Sequence, residues 1–230
     1  MCNRIRSMAI LLIAAVAACN NYNLLAQLEN PGSLINERFS DRLFVFVTSQ
    51  MTAGDMFALN AGSCNGTGIG KADCVCQALA AQNGLRMSST SRFIAWLSTS
   101  VDAAKCRMLN QGGSTCKPSG PFVWYNTNYE PVFTSFESAT TGLLGSTLTI
   151  SNAPKYTEGR FPVPPMSDNV WTGTDIGGNI AGGFTCDNWN SFSAGFQGRT
   201  GTSDSLGSGW TSGKSFGCDL FKRIYCIAVP

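Results

Sequence analysis

Ten cysteines and no histidine limit the chemistry that this chain can perform. Without an imidazole the chain has no Ser-His-Asp triad, no Cys-His pair and no histidine ligand for a metal ion. Cysteines in such number are typical of an oxidising compartment, because the cytosol keeps thiols reduced. Eight of them predict four disulfides, and these are Cys64, Cys74, Cys76, Cys106, Cys116, Cys186, Cys218 and Cys226.

A pair of carboxylates is the catalytic arrangement that remains, as in glycosidases. The candidates are Glu130, Glu137, Glu158 and Asp175, and nothing in their spacing brings two of them to one cleft. Serine and threonine are abundant but lack an evident base. We therefore expect a protein that is not an enzyme and that holds no cofactor and no metal.

The N-terminus has the features of a secretory leader. Arg4 and Arg6 precede an apolar run over residues 8–18, which is too short to span a bilayer. The run ends in Val16-Ala17-Ala18-Cys19, which resembles the lipobox of bacterial lipoproteins. We expect residues 1–18 to be a signal peptide and Cys19 to be acylated, with enough lipid for stable anchoring. The alternative is an ordinary signal peptide cut at the Ala-x-Ala site, with Cys19 unmodified.

Residues 19–41 predict a tether between the lipid and a folded domain, because they contain Asn20, Asn21, Pro31 and Gly32 and few β-branched side chains. The leucines over residues 24–28 could instead form a helical turn packed on the domain. Residues 42–230 have the length of one domain, and 43% hydrophobic residues in the whole chain supply a core. We expect a bacterial envelope protein attached to the membrane by its lipid, at the outer membrane or cell surface.

Charge argues against nucleic acid as a partner. The formal charge is +2, and loss of the two leader arginines leaves equal numbers of acidic and basic side chains. One segment is nevertheless basic, with Asp102 as its opposing charge. It supplies a candidate polyanion-binding set, namely Arg86, Arg92, Lys105 and Arg107. The alternative interpretation is charge that is simply solvated on two faces.

Hydrophobic patterns predict a mixed α+β chain of short elements. Runs of β-branched and aromatic residues predict strands over residues 42–48, 92–97, 122–125, 143–150, 169–172 and 224–229. Helical spacing predicts a helix over residues 71–82 and a short helix over 130–137, after Pro131. Prolines and glycines predict loops over residues 154–166 and 177–217. Trp96, Trp171 and Trp189 are predicted to lie in the core rather than on a ligand-stacking surface.

Three segments in order carry a family resemblance. They are residues 72–76 (ADCVC), residues 92–98 (RFIAWLS) and a C-terminal series that begins at 170–175 (VWTGTD) and continues through Cys186-Asp-Asn-Trp189 to Ile224-Tyr-Cys226. The set resembles the endostatin domain of collagens XV and XVIII, a variant of the C-type-lectin fold. It is also similar to uncharacterised leptospiral lipoproteins that join this domain to a lipobox. The resemblance covers residues 42–230 and implies mainly antiparallel short-stranded sheets, one or two helices, many loops and disulfide staples.

The resemblance implies two nested disulfides, Cys76 with Cys226 and Cys186 with Cys218. On the chain-entropy estimate these loops stabilise the fold by at most about 5 and about 3.7 kcal/mol. The other four cysteines are additions to the family pattern. Proximity along the chain suggests Cys64 with Cys74 and Cys106 with Cys116, and Cys64 with Cys76 stays open because spacing does not fix connectivity.

Departures from the relatives bear on function. The histidines that hold zinc in endostatin are missing, so a zinc site does not transfer. The residues before Cys218 offer no carboxylate for a calcium ion, which disfavours calcium-dependent sugar binding. The candidate polyanion-binding set lies where the heparin-binding arginines of endostatin partly occur. We therefore expect a non-catalytic binding module for host extracellular matrix or sulfated glycosaminoglycan, and the alternative is a structural or assembly component of the envelope without a soluble ligand.

Overall fold

A computed structural model describes residues 42–85, 92–117, 122–141 and 153–230. Residues Arg42–Pro230 group into one compact unit. The predicted signal peptide, the acylated Cys19 and the tether lie outside the described residues. So do Arg86 and the predicted strand over residues 143–150.

Two strands with both faces buried form the centre of the sheet. β1 (Leu43–Val47) pairs antiparallel with β10 (Arg223–Val229), and Phe46 lies opposite Cys226. Side chains on each strand alternate between two hydrophobic cores, with Phe46 facing one and Val47 facing the other. This is why both strands read as continuous apolar runs, as the sequence predicted for a central strand.

The remaining strands extend the sheet on both sides of this pair. β3 (Trp124–Tyr125) runs parallel to β1, and β4 (Pro131–Phe133) is the antiparallel edge beyond it. Along the other side of β10, β2 (Arg92–Ala95) pairs antiparallel and β5 (Asn169–Trp171) pairs parallel, at different positions of the strand.

The C-terminal half completes the sheet and adds a small second one. β8 (Gln197–Thr202) pairs antiparallel with β5, and β9 (Ser215–Gly217) pairs antiparallel with β8. β6 (Thr174–Asp175) and β7 (Asn179–Ile180) form a separate antiparallel hairpin. β7, β8 and β9 lie inside the segment that the sequence predicted as loop, residues 177–217. β8 was not recognised as a strand because it reads Gln-Gly-Arg-Thr-Gly-Thr. A Cβ at Gly201 would overlap the backbone oxygen of Trp210, so close approach requires a glycine there.

One long helix covers the hydrophobic core that Phe46 faces. α1 (Gly68–Gln82) buries a stripe of small and aliphatic side chains that includes Ala72, Val75, Cys76, Leu79 and Ala80. It begins three residues before the predicted start at Lys71. α2 (Ala104–Met108) and α3 (Phe136–Thr141) are short, and 3-10 turns occupy Pro165–Ser167, Ile176–Gly178 and Ser208–Trp210.

The predicted short helix over residues 130–137 is wrong. Pro131–Phe133 form β4, and α3 begins at Phe136. The reason is tertiary: Phe133 lies opposite Trp124 in the sheet and packs 4.7 Å from the ring of Trp210. Proline is tolerated in β4 because an edge strand can lack one ladder donor.

Four disulfides connect these elements. They join Cys64 with Cys74, Cys76 with Cys226, Cys106 with Cys116 and Cys186 with Cys218. The bond from Cys76 ties α1 to β10, as the resemblance implied, and the alternative partner of Cys64 is not the one observed. The fold is therefore mixed α+β with few helices, mostly antiparallel pairings and a disulfide framework.

The tryptophans lie in the two cores. Trp96, Trp171 and Trp189 are completely buried, which confirms the prediction that they belong to the core. Trp210 is buried as well, and its ring lies 5.1 Å from Trp96 and 5.3 Å from Tyr225. Aromatic contacts of this kind add to the stabilisation from burial.

Candidate functional site

Arg107, one of the predicted polyanion contacts, is occupied inside the protein. Its guanidinium donates to both oxygens of Asp73, at 2.7 and 2.6 Å, and to the carbonyls of Ala95 and Leu97 at 2.8 Å. The two charged side chains are 12% and 22% exposed. The residue therefore ties α2 to α1 and β2, and its charge is neutralised by a paired carboxylate.

Arg92 and Arg107 line one small polar opening of about 240 Å³, which we call the polar cleft. Its lining consists of Asp73, Arg92, Ile94, Asp102, Arg107, Asn110, Gln111 and Gly112. Arg92 donates to the Asn110 side chain at 2.7 Å, and the Asp102 carboxylate accepts from the Gly113 backbone at 2.6 Å. Two arginines face two aspartates, so the polar cleft carries no excess of positive charge.

Lys105 is not among the residues that line the polar cleft. Its ammonium group donates to the Asn179 side chain at 2.7 Å. The structure thus brings together two of the three described members of the predicted set, Arg92 and Arg107, and directs the third toward β7. Arg86 lies outside the described residues.

A second opening is lined mainly by exposed phenylalanines, and we call it the aromatic cleft. Its volume is about 280 Å³ and its lining consists of Ala53, Asp55, Phe57, Ala58, Phe192, Asp219 and Phe221. Phe57 and Phe192 are each 68% exposed, and Phe221 is 54% exposed. Single exposed apolar residues are ordinary on a protein surface, whereas several around one opening indicate an interaction site.

Three separate loops converge to form the aromatic cleft, and the disulfide from Cys186 to Cys218 connects the loops that carry Phe192 and Phe221. The Gly54 backbone donates to the Cys218 carbonyl at 2.8 Å. Thr52 and Lys222 exchange two backbone hydrogen bonds of 2.7 and 2.9 Å. A Cβ at Gly54 would overlap the sulfur of Cys186, so the first loop lies directly on the disulfide.

The loop that carries Phe192 leaves an unusual left-handed turn. Four consecutive residues, Cys186–Trp189, have positive φ angles, of 48°, 53°, 56° and 67°. This conformation costs roughly 1–2 kcal/mol for each L-residue, so other contacts must hold it. The Trp189 indole donates to the Ser98 carbonyl at 2.8 Å, and the Asn188 side chain accepts from the Ser100 backbone at 2.6 Å. The turn therefore fixes where the chain emerges toward Phe192.

The exposed lining of the aromatic cleft is mainly apolar, and two acidic residues, Asp55 and Asp219, belong to it. Asp55 accepts a hydrogen bond from the Phe57 backbone at 3.0 Å. Within the described ranges neither Asp55 nor Asp219 forms a salt bridge. The nearby ammonium group of Lys71 donates to the Phe57 carbonyl at 2.7 Å and lies 5.1 Å from the Phe57 ring. The cleft thus combines apolar surface with negative charge.

The four carboxylates considered for catalysis lie elsewhere, because neither cleft has any of them in its lining. Glu158 accepts from the backbone and hydroxyl of Ser49, and Glu130 accepts from Asn126. The Ser212 hydroxyl and the Ile176 backbone donate to Asp175 and hold the pKa of that carboxyl below its ordinary value. Glu137 lies in the first turn of α3.

The Tyr225 side chain is completely buried in the core, and two carboxylates act on its hydroxyl group. Burial raises the pKa of its phenol well above the ordinary value, and the carboxylates of Asp168 and Asp204 add to the effect. Partial burial and Asp204 also raise the pKa of Asp168. In the described part of the chain the hydroxyl groups of Tyr225 and Ser203 are buried without a hydrogen-bond partner. The region is thus unfavourable for additional negative charge.

Comparisons with known proteins add no assignment, since no protein-family model matches the chain and no curated protein is similar to it. Among the described residues, no three potential metal ligands of the His, Cys, Asp or Glu type group together. In the same ranges every helix is too short or too polar to cross a membrane.

The sequence interpretation missed the aromatic cleft. The density of positive charge predicted a binding site in the basic segment. Phe57, Phe192 and Phe221 belong to no periodic apolar pattern and predicted neither a core position nor a site. One signal was present: Phe192 stands between serines, and Phe221 stands two residues after Asp219 in a turn rather than in a strand. Phenylalanine in a polar loop outside any periodic pattern indicates exposure or a local tertiary contact, and only the structure distinguishes these.

Proposed function

We propose that this chain is a lipid-anchored, non-catalytic binding module of a bacterial envelope, displayed at the cell surface on a C-type-lectin-like, endostatin-like domain. The lipobox-like sequence that ends at Cys19 supports the anchor. The disulfide framework supports an oxidising location. The ordered sequence motifs support the domain family, and the mixed α+β architecture is compatible with it.

The aromatic cleft carries the proposal and is its contact surface. Burying a phenylalanine side chain fully stabilises a complex by about 1.5–3 kcal/mol, so three rings supply a hot spot before association costs are subtracted. The rings project from loops that the disulfide and backbone hydrogen bonds already fix. A preformed surface loses less entropy when a partner binds.

The partner class that we favour is a host extracellular-matrix protein. Sulfated glycosaminoglycan at the basic segment has less support, because Arg107 is paired with Asp73 and the polar cleft is balanced in charge. Of the remaining described members, Arg92 is exposed and donates to Asn110, and Lys105 is half-buried and donates to Asn179.

A role in envelope assembly without a soluble ligand is the second candidate. The observation in its favour is that exposed apolar surface is not limited to the lining of the aromatic cleft. Phe196 and Leu220, on the same loops, are also exposed. A broad apolar patch of this kind suits a permanent neighbour in the membrane assembly.

Surface display is tested on intact cells that produce the full chain. Protease added outside should degrade the protein, and labelled fatty acid should enter it but not a Cys19→Ala variant. Protection of the wild-type protein until the cells are lysed would favour the assembly role. Unlabelled wild-type protein would contradict the lipid anchor.

The contact surface is tested by probing matrix-protein and sulfated-glycan arrays with the purified full chain. The variant Phe57→Ala/Phe192→Ala/Phe221→Ala should lose at least about tenfold in affinity for the bound matrix protein. Phe161→Ala is the matched control, because Phe161 is 72% exposed and outside the aromatic cleft. Equal binding by the triple variant and the control would exclude the cleft as the contact surface.

A further inference from the structure

We propose that the aromatic cleft receives a cationic side chain, an arginine or a lysine, from the protein partner. This inference rests on the proposed function and names the chemistry of the group that the cleft recognises. Three observations carry it: two acidic residues without a salt bridge among the described residues, exposed aromatic rings and a small volume.

The charges favour a cation. Asp55 and Asp219 belong to the lining and have no salt-bridge partner within the described ranges. Lys71 is the nearby cation, and its ammonium group is already engaged by the Phe57 carbonyl. Lys222 follows Phe221 in the sequence but is not among the lining residues, and its ammonium group lies 4.2 Å from the centre of the Phe216 ring. The lining therefore includes two acidic residues and no basic one, which gives the aromatic cleft an excess of negative charge.

The rings favour the same ligand. A cation is attracted to the face of an aromatic ring, and arginine combines that attraction with a planar group that stacks and a stem that packs on apolar surface. The chain itself uses such contacts, since the Arg199 guanidinium lies 4.8 Å from the Phe184 ring. No cation of the described residues lies over Phe192 or Phe221, so these two rings are open to a partner.

The size of the aromatic cleft is compatible with such a side chain. Its volume of about 280 Å³ lies at the lower end of the range of roughly 300–1,000 Å³ that drug-sized ligands occupy. The cleft therefore has room for one long side chain. Attachment of that side chain to a folded partner would supply the surrounding contacts with Phe196 and Leu220.

The test is a nuclear magnetic resonance titration of the full chain, purified in detergent, with N-acetyl-arginine amide. N-acetyl-citrulline amide is the control probe, because it has nearly the same shape and no charge. We expect saturable shifts at Phe57, Phe192 and Phe221 with a dissociation constant on the order of 1–10 mM. The citrulline probe should bind at least about fivefold more weakly.

Variants separate charge from shape. Asp55→Asn/Asp219→Asn removes both charges, and an asparagine at position 55 can still accept from the Phe57 backbone. This variant should bind the arginine probe about fivefold to tenfold more weakly than the wild type and bind the citrulline probe with unchanged affinity. Asp204→Asn, an exposed carboxylate outside the lining, should change neither titration. Disulfide mapping and near-ultraviolet circular dichroism verify that each variant is folded.

Equal binding of the two probes, or no saturable shift at 50-fold excess over about 1 mM protein, would overturn the inference. Preference for N-acetylglucosamine or for phosphatidylcholine vesicles at the same resonances would overturn it as well. The proposed function fails separately, when the triple phenylalanine variant binds the matrix array as well as the wild type does. A cleft that binds matrix protein but not the arginine probe retains its function and loses this ligand.

Discussion

The aromatic cleft and the polar cleft are nearly equal in volume, about 280 and about 240 Å³, but they use charge in opposite ways. In the polar cleft, Arg107 is bound to Asp73 and two carbonyls, so its charge stabilises the folded chain and is not available to a partner. In the aromatic cleft, two carboxylates lack a salt bridge among the described residues and three rings face solvent. The density of charge along the chain is thus a poor guide to which charged groups remain available for a partner, because the fold itself uses some of them.

Each cleft also has its own disulfide. The bond from Cys186 to Cys218 spans 32 residues and underlies the aromatic cleft. The bond from Cys106 to Cys116 spans 10 residues, and the polar-cleft residues Asn110, Gln111 and Gly112 lie inside its loop. Removing one bond at a time therefore perturbs one cleft at a time.

The largest effect is expected from Cys186→Ala/Cys218→Ala. The variant should lose up to about 3.7 kcal/mol of unfolding free energy, against up to about 2.7 kcal/mol for Cys106→Ala/Cys116→Ala, because the longer loop restricts the unfolded chain more. Denaturant unfolding measures both values. Matrix binding should fall in the first variant alone, and an equal loss of binding in the second would show that the two clefts are not independent.

Arg107→Ala should lower the unfolding free energy by about 2–4 kcal/mol, because it removes the counter-charge of the Asp73 carboxylate and one donor from each of the carbonyls of Ala95 and Leu97. Lys105→Ala, on the same helix, should change it by less than about 0.5 kcal/mol. Urea unfolding of the two variants is the measurement. Similar stability in both would mean that Arg107 is a surface cation and would return it to the candidate binding set.

The triple phenylalanine variant of the aromatic cleft should change stability by no more than about 1.5 kcal/mol in total, because exposed substitutions typically cost within about 0.5 kcal/mol each. Thermal unfolding measures the loss of stability, and the matrix array measures the loss of affinity in the same variant. A large stability loss would indicate that these rings support the fold, and the contrast between the clefts would disappear.

The smallest effect concerns heparin. Arg92→Ala/Lys105→Ala should elute from a heparin column at nearly the same salt concentration as the wild-type chain, because the polar cleft has no excess positive charge. The Phe161→Ala variant is the control for changes in elution that any surface substitution causes, because Phe161 is exposed and outside both clefts. A clear shift to lower salt would restore the polyanion hypothesis for the basic segment.

Local patterns were sufficient for the elements that contact their neighbours through a periodic apolar face. The apolar runs of β1 and β10 and the helical spacing in α1 each reflect burial that is visible within a short stretch of sequence. The pairing of Cys76 with Cys226 followed from resemblance rather than from any local rule. β4 and β8 could not be recognised from local sequence. Phe133 in β4 packs on the Trp210 ring and Gly201 in β8 lies against the Trp210 backbone, and Trp210 is distant in sequence from β4.

By itself the sequence determined a histidine-free chain with no imidazole chemistry, and it predicted the disulfides, a leader with a lipobox-like end and the central apolar strands. Only the tertiary structure decided which charges are used internally and which rings remain exposed. Asp73 and Arg107 are 34 residues apart, and the three phenylalanines come from loops joined by a disulfide. Hydrophobic periodicity is a local property of the chain, whereas pairing and exposure depend on contacts between distant segments, which form when the chain folds.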